Sequence, residues 1–219
     1  MSRTNINKKN VMINPADTAV LLIDHQSSLF QTVKDISVAE LRTNVAALAK
    51  AATLLKLPVI STASEPEGPN GPPIPEIRKY APHEVYVLRK GEVNAWDNRD
   101  FVKAVRKTGK KTLIIAGVWT SVCVTFPVLS ALAEGYKVYA VLDASGDVST
   151  RASQLALARL TQAGVIPIST NAVVAELQKT WKRKDAMEFA KIYSEVAPNF
   201  KAVIESYQKA QDVANKTKK

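Results

Sequence analysis

The sequence predicts an α/β fold: a three-layer sandwich with a mostly parallel, six-stranded sheet, helices on both faces and a C-terminal helical extension. Two observations carry this. Continuous apolar runs such as Ala19-Val20-Leu21-Leu22-Ile23 and Leu113-Ile114-Ile115-Ala116 fit strands covered on both faces. Between such runs stand amphipathic stretches of helical period, and strands that alternate with helices imply parallel pairing.

Residues 1–16 read as irregular, ending at Asn14-Pro15. Thr18 to Asp24 is the first strand, closed by an acid. Val38 to Leu55 makes a helix, with Leu41, Val45, Leu48, Ala52 and Leu55 along one face. Pro58 to Thr62 is the second strand. Glu65 to Pro75 holds five of the eleven prolines and forms no regular element. Loops of that length in compact domains are often functional, so it is a candidate pocket wall or oligomer contact. Val85 to Leu88 is the third strand and runs into Arg89-Lys90-Gly91. Asp97 or Asn98 caps a helix that reaches Thr108 and stops at Gly109.

Thr112 to Ala116 is the fourth strand. Gly117 permits a sharp turn, Thr120 and Ser121 are suitable caps, and Val122 to Ala133 continues as a helix. Pro127 cannot donate a helix hydrogen bond, so that helix is expected to be irregular. Tyr136 to Asp143 is strand five. Ser149 or Thr150 caps a helix to Ala163. Val165 to Ile168 is strand six, and Asn171 caps a helix from Ala172 to about Lys182. Amphipathic stretches at Asp185–Ser194 and Pro198–Ala214 form an appendage suited to subunit packing. The chain reads as a single Rossmann-like domain over residues 1–219, with its core at about 14–180 and the appendage at about 181–214.

Composition narrows the function classes. Apolar content of 46% and charged content of 23% are ordinary for a soluble globular protein. No apolar run is long enough to span a bilayer, and the N-terminus shows no apolar leader region. The single cysteine excludes an internal disulfide and favours a reducing, cytoplasmic setting; import guided by the short basic N-terminus is the alternative. Half of the net charge of +10 lies from Gln178 onward, where ten Lys/Arg stand against five Asp/Glu. Lys182-Arg183-Lys184 and Lys216 to Lys219 could touch acidic surfaces. A solvated helical face is the preferred reading, because the aromatic and glycine-rich signatures of nucleic-acid binding are absent.

In open α/β sheets, ligands sit beyond the carboxyl ends of the strands, near the switch in strand order. That rule selects Asp24 after strand one, Arg89 and Lys90 after strand three, Cys123 after strand four and Asp143 after strand five. A thiol at the strand-to-helix turn meets unpaired backbone N–H groups and the positive end of the helix dipole, which favour the thiolate. The competing reading of Cys123 is a small buried hydrophobe.

The segments Leu21-Leu22-Ile23-Asp24-His25-Gln26, Glu67-Gly68-Pro69-Asn70-Gly71-Pro72, Arg89 through Asn98, and Ala116-Gly117-Val118 through Cys123 together resemble the isochorismatase-like cysteine hydrolases, and within them the YcaC-like branch. The resemblance covers about residues 14–180. It implies a catalytic triad of Asp24, Lys90 and Cys123. Asp24 would be the general base, Lys90 would hold the thiolate, and Cys123 would attack a carbonyl to form a thioester. It also implies an oxyanion hole from the backbone N–H groups of Trp119 and Cys123, after a cis peptide bond between Val118 and Trp119.

The chain departs from the family in several places. Nicotinamidases of the family hold a metal through an Asp and a histidine cluster. Here the corresponding interval is the Pro-rich loop, and the chain has only His25 and His83, so neither metal nor other cofactor is expected. Ser121 and Trp119 stand where relatives often carry an acid and a small residue. Asn94 and Trp96 are candidate substrate-binding residues with Trp119; for Trp96, packing between subunits is equally open. His25 suits a structural hydrogen bond better than substrate orientation, and Asp143 suits a turn better than chemistry.

The expectation is therefore a metal-independent hydrolase of C–N bonds in a small amide-like substrate. The alternative is a non-catalytic binding or assembly protein that keeps the fold. The resemblance further implies a homo-oligomer, up to an octamer, with no membrane partner.

Overall fold

The computed structural model describes residues 12–217. Its sheet has six strands: β1 (Thr18–Ile23), β2 (Val59–Ser64), β3 (Val85–Arg89), β4 (Thr112–Gly117), β5 (Lys137–Val141) and β6 (Ile166–Ile168). Their order is β3-β2-β1-β4-β5-β6, and every neighbouring pair is parallel. The chain leaves β1 toward β2 and β3, then returns to place β4 on the other side of β1. The switch point thus lies between β1 and β4, which pair from Thr18↔Thr112 to Ile23↔Gly117.

Side chains alternate across a strand, so each central strand feeds two cores. Val20, Leu22, Ile114 and Ala116 pack on one face with Leu41, Val45 and Leu48 of α2 (Val38–Leu54) and Val173 and Leu177 of α7 (Thr170–Gln178). Ala19, Leu21, Ile23, Leu113 and Ile115 pack on the other. Their partners are Phe101 and Val105 of α4 (Arg99–Lys107), Val128 of α5 (Thr125–Ala133) and Leu160 of α6 (Thr150–Gln162). Two cores on one sheet make the three-layer sandwich.

Helix starts follow local chemistry. Ser37 accepts from Glu40 N at 3.2 Å and caps α2, Asn98 accepts from Phe101 N at 2.9 Å and caps α4, and Ser149 accepts from Ala152 N at 3.1 Å and caps α6. Helix α7 corrects the sequence reading: Ser169, not Asn171, is its cap, and it ends at Gln178 because Lys179 turns to φ 63°. Two short helices had no sequence signal: α1 (Ser27–Phe30) and α3 (Pro75–Tyr80), which begins on the last proline of the Pro-rich loop. Beyond α7, α8 (Ala186–Val196) returns Phe189 and Ile192 to the core, and α9 (Pro198–Thr217) follows. No helix among the described residues is long and apolar enough to cross a membrane.

The elbow after β4 departs from a simple capped helix. Thr120–Val124 forms a π-helical turn, with Val124 N donating to Trp119 O at 3.2 Å. Pro127 offers no N–H to the Cys123 carbonyl four residues back, so α-helical bonding begins only at Thr125. Ser121 is bound instead of capping: its N–H and Oγ donate to Asp147 at 2.8 and 3.0 Å.

Candidate active site

The site forms at the switch point. Asp24 follows β1 in a left-handed conformation (φ 54°), one that a short polar side chain tolerates. Its N–H donates to Thr62 O at 2.9 Å, which fixes the turn against β2. Cys123 reaches the same edge from β4. The strands must approach closely there: a Cβ on Gly117 would sit 2.5 Å from Ile23 O. The Val118–Trp119 peptide bond is cis, and Trp119 and Cys123 line the same cavity. The Asp24 carboxylate faces the same cavity as the thiol. Burial first, and then the Asp24 charge and hydrogen bond, push the Cys123 thiol well above its ordinary range; the Trp119 N–H and Arg89 act in the opposite sense. The sequence-based expectation of a resting thiolate is thereby corrected: the elbow's favourable donors are outweighed by desolvation and by a neighbouring carboxylate.

The cation beside Asp24 is Arg89, not Lys90. Arg89 is fully buried and ion-pairs with Asp24 through Nη2. Its Nε donates to Thr62 Oγ1 at 3.1 Å, and its Nη1 donates to the Glu92 carbonyl. One guanidinium thus ties the ends of β1, β2 and β3, which a single ammonium could not do with the same fork of donors. Lys90 is exposed, and its backbone N–H donates to Glu92 Oε2 at 2.9 Å.

A cavity of about 280 Å³ opens onto Asp24 and Cys123. Leu29, Val93, Trp119 and Val122 form its apolar side, and Ser64, Glu65, Asn70 and Glu92 its polar side. The Trp119 indole is held by its Nε1, which donates to Thr32 Oγ1 at 2.6 Å. The Pro-rich loop is a wall of this cavity, and Gln26 pins it: Nε2 donates to Gly71 O at 2.6 Å and to Ser64 O at 3.0 Å. Gly71, at φ 72°, has no room for a Cβ beside the Ser27 and Ser28 hydroxyls. A larger groove of about 530 Å³ lies along α4, lined by Trp96, Arg99 and Arg106, away from the cysteine.

Several candidates lie elsewhere. Trp96 packs edge-on against Phe101 and Tyr136, at centroid distances of 6.1 and 5.7 Å, and its Nε1 donates to Glu134 at 2.8 Å. Asn94 accepts from Trp96 N at 3.1 Å and donates to Asp97 and Ser130. Both belong to the packing of α4 against α5 and do not line the cavity, so only Trp119 of the three substrate-binding candidates does. His25 is buried and bonded to Ala144 O at 2.9 Å, and burial lowers its pKa to about 4. Asp143 accepts from Thr170 N and Oγ1 at 2.7 and 2.8 Å and so holds the start of α7. Among the described residues no group of three His, Cys, Asp or Glu side chains is placed to hold a metal ion.

Sequence reasoning passed over Arg89 as the site cation, although it named the residue at the strand end. It passed over Asp147, and it named Glu65 only as the start of the Pro-rich loop that it offered as a pocket wall. A usable signal for Arg89 was its position: side chains alternate along a strand, so only one of two adjacent cations can face the sheet's edge site.

Comparison with known proteins places the chain in a family. Residues 18–172 match the isochorismatase domain model. The chain is 45% identical to the probable hydrolase YcaC of Escherichia coli K12 over 200 residues, covering 91% of this chain and 96% of that protein. Isochorismatase domain-containing protein 2 of Xenopus laevis is 27% identical over 83% of this chain and 86% of its own. Among solved structures, a YcaC from Pseudomonas aeruginosa, with hexane-2,5-diol and covalent acrylamide, superposes with a TM-score of 0.87 at 45% identity over 90% of this chain and 98% of that one. The E. coli YcaC product, described as an octameric hydrolase of unknown specificity, superposes with a TM-score of 0.89 at 44% identity over 93% and 99%. A strand-end acid and an elbow cysteine on this sheet, with these relatives, make the chain a member of the isochorismatase family of hydrolases, in its YcaC-like branch.

Proposed function

We propose that the protein is a metal-independent cysteine hydrolase that cleaves a C–N bond in a small amide through a thioester intermediate. The single observation that carries this reading is the convergence of Asp24, Cys123 and the cis-linked Trp119 on one small cavity at the sheet edge. Asp24 takes the thiol proton as sulfur attacks the carbonyl carbon. Because the resting group is a thiol, proton transfer accompanies attack rather than preceding it. The carbonyl oxygen becomes an oxyanion that accepts from the N–H groups of Trp119 and Cys123, and such donors are worth about 3–4 kcal/mol each when aimed correctly. Asp24 returns the proton to the leaving nitrogen and the C–N bond breaks. Water, deprotonated by Asp24, then attacks the thioester; the carboxylic acid leaves and Cys123 regains its proton.

In this proposal Arg89 takes the place expected for Lys90. It orients Asp24 through the buried ion pair, and its positive charge opposes the rise of the thiol pKa. The cavity of about 280 Å³ suits a small substrate, with the indole of Trp119 limiting the acyl group. Covalent acrylamide in the P. aeruginosa relative supports a reactive nucleophile in this branch, since acrylamide is both a small amide and a thiol electrophile. We further propose a homo-oligomer, on the strength of the octameric E. coli relative. The lone cysteine fits a reducing compartment such as the cytoplasm.

The raised thiol pKa favours a second reading, a binding or assembly protein with an inert site. A screen of small amides for ammonia release, with Cys123→Ser as control, separates the two. Release that disappears in Cys123→Ser supports the hydrolase. Release that survives the substitution removes Cys123 as nucleophile, and absence of release together with no acrylamide labelling of Cys123 favours the second reading.

A further inference from the structure

We infer that the cavity at Cys123 selects a positively charged small molecule, so that the amide it takes carries an ammonium group. The charge selection stands on the cavity walls; the amide rests on the hydrolase reading above.

The walls set the charge. Three acidic residues line the cavity, Asp24, Glu65 and Glu92, and no lysine or arginine does. Arg89 is fully buried and pairs with Asp24. That pair cancels, and Glu65 and Glu92 leave the cavity negative. The whole chain carries a net charge of +10, so the acidity belongs to this cavity and not to the protein at large.

The two acids are held in different ways. Glu92 is fixed: its Oε1 accepts from Asn98 Nδ2 and its Oε2 from Lys90 N, both at 2.9 Å. Its own backbone N–H first, and then Asn98, hold its carboxyl below the usual carboxylate range, so it stays charged at neutral pH. Glu65 has a fixed backbone and an open carboxylate. At φ 46°, its N–H donates to Arg89 O at 3.2 Å, and its carbonyl accepts from Gly68 N at 2.9 Å. Its carboxylate meets no donor or cation among the described residues. Oε1 stands beside Gly91, another residue of the cavity, where a Cβ would lie 3.7 Å from it.

An organic cation matches these walls. A metal ion does not, because among the described residues no three His, Cys, Asp or Glu side chains converge as ligands. An ammonium is a compact charge with three donors, which Glu65 can accept without giving up another bond. Leu29, Val93 and Val122 on the apolar side suit a short methylene chain between that charge and the carbonyl. A carboxylate at the same point meets like charge.

Three amides of matched length test this: 4-aminobutanamide, pentanamide and glutaramate, which end in an ammonium, a methyl and a carboxylate. At about 0.15 M salt the Debye length of about 8 Å screens the distant charges of the chain. There kcat/KM should fall in that order, by about tenfold or more from first to last, and Glu65→Gln should narrow the spread. Cys123 is the single cysteine and gives a readout that needs no turnover. Its labelling rate with 2-aminoethyl methanethiosulfonate is divided by its rate with the 2-sulfonatoethyl reagent. That ratio should exceed the ratio for N-acetylcysteine amide by about tenfold, and should drop in Glu65→Gln. The raised thiol pKa slows both reagents alike and leaves the ratio unchanged. Hydrolysis with no preference among the amides, together with the free-thiol labelling ratio, would overturn the cation selection and leave the hydrolase standing. Charge-selective labelling with no amide hydrolysed would do the reverse. Ratios that Glu65→Gln leaves unchanged would also overturn the selection, because Glu65 is the open carboxylate on which it turns.

Discussion

The carboxyl edge of the sheet and the C-terminal helix α9 handle charge in opposite ways. At the sheet edge, Asp24 and Arg89 are buried and meet each other, and each remaining donor of Arg89 reaches the end of a strand or the loop beyond it. On α9 the charges stay in solvent on one face and the apolar residues gather on the other. The Lys201–Glu205 pair at 3.6 Å is exposed on both sides, the kind of ion pair that contributes about 0–1 kcal/mol. Burial makes the difference. A buried charge needs its partner, and losing the partner costs several kcal/mol; an exposed one is optional. The edge thus depends on single residues and their partners, and α9 on how its residues are distributed over its two faces.

The sharpest way to break this contrast is at Asp24. Asp24→Asn removes the proposed base, and kcat/KM for the proposed amide hydrolysis should fall by about 10²–10⁴. Asp24 also raises the thiol pKa by charge and hydrogen bond, so the same variant should titrate its thiol at lower pH in a rate-versus-pH alkylation series. Lower activity with an unshifted thiol would separate Asp24 from Cys123. Next in size is Arg89→Met, which leaves Asp24 buried without its ion-pair partner. Denaturant unfolding should show a loss of about 3–5 kcal/mol, and an unchanged midpoint would mean that the ion pair is dispensable.

A pH effect of similar size comes from His25. Its folded pKa of about 4 lies below the unfolded value near 6.5, so the unfolded state binds the proton first as pH falls. Stability from keeping His25 neutral is fully present above about pH 6.5 and is lost progressively as pH drops toward 4. The total is about 3 kcal/mol, from 1.36 kcal/mol per pKa unit. Unfolding curves at pH 7 and pH 4.5, compared between wild type and His25→Gln, check this: the variant should lack that part of the slope. The smallest expected effect belongs to the neighbour of Arg89. Lys90→Ala should change stability by less than about 0.5 kcal/mol and leave kcat near wild type, because the side chain is exposed. A large loss there would restore lysine to the site and reverse the assignment.

Much of the fold was legible in the sequence for reasons these same residues illustrate. The apolar runs of β1 and β4 are continuous because both of their faces are buried, and Asn98 and Ser149 cap helices through their own side chains. Helices α1 and α3, of four and six residues, are too short to show a period, and they are held by the loop that Gln26 pins. The π turn depends on a carbonyl left without its donor by Pro127, an effect visible in sequence as irregularity but not as a geometry. Of the site, Asp24 and Cys123 were legible because a strand end and an elbow mark them. Arg89 and Lys90 stand side by side in the sequence, and only the path of the chain after β3 decides which one turns inward. Trp96 looked available because an aromatic beside a site motif reads the same whether it faces a ligand or, as here, Phe101 and Tyr136.

The guanidinium of Arg89 also couples two parts of the protein that would otherwise open independently. Strand β3 is the outermost strand on its side of the sheet, with Val85 and Leu88 about half exposed at 52% and 48%. Outer strands belong to the parts of a fold that open locally before global unfolding. Because Arg89 ends this strand and grips Asp24, each local opening of β3 withdraws the cation from the carboxylate that shares a cavity with Cys123, the proposed nucleophile. Activity in mild denaturant should therefore decline with the amide protection of Val87 to Arg89, while the central strands β1 and β4 still exchange slowly.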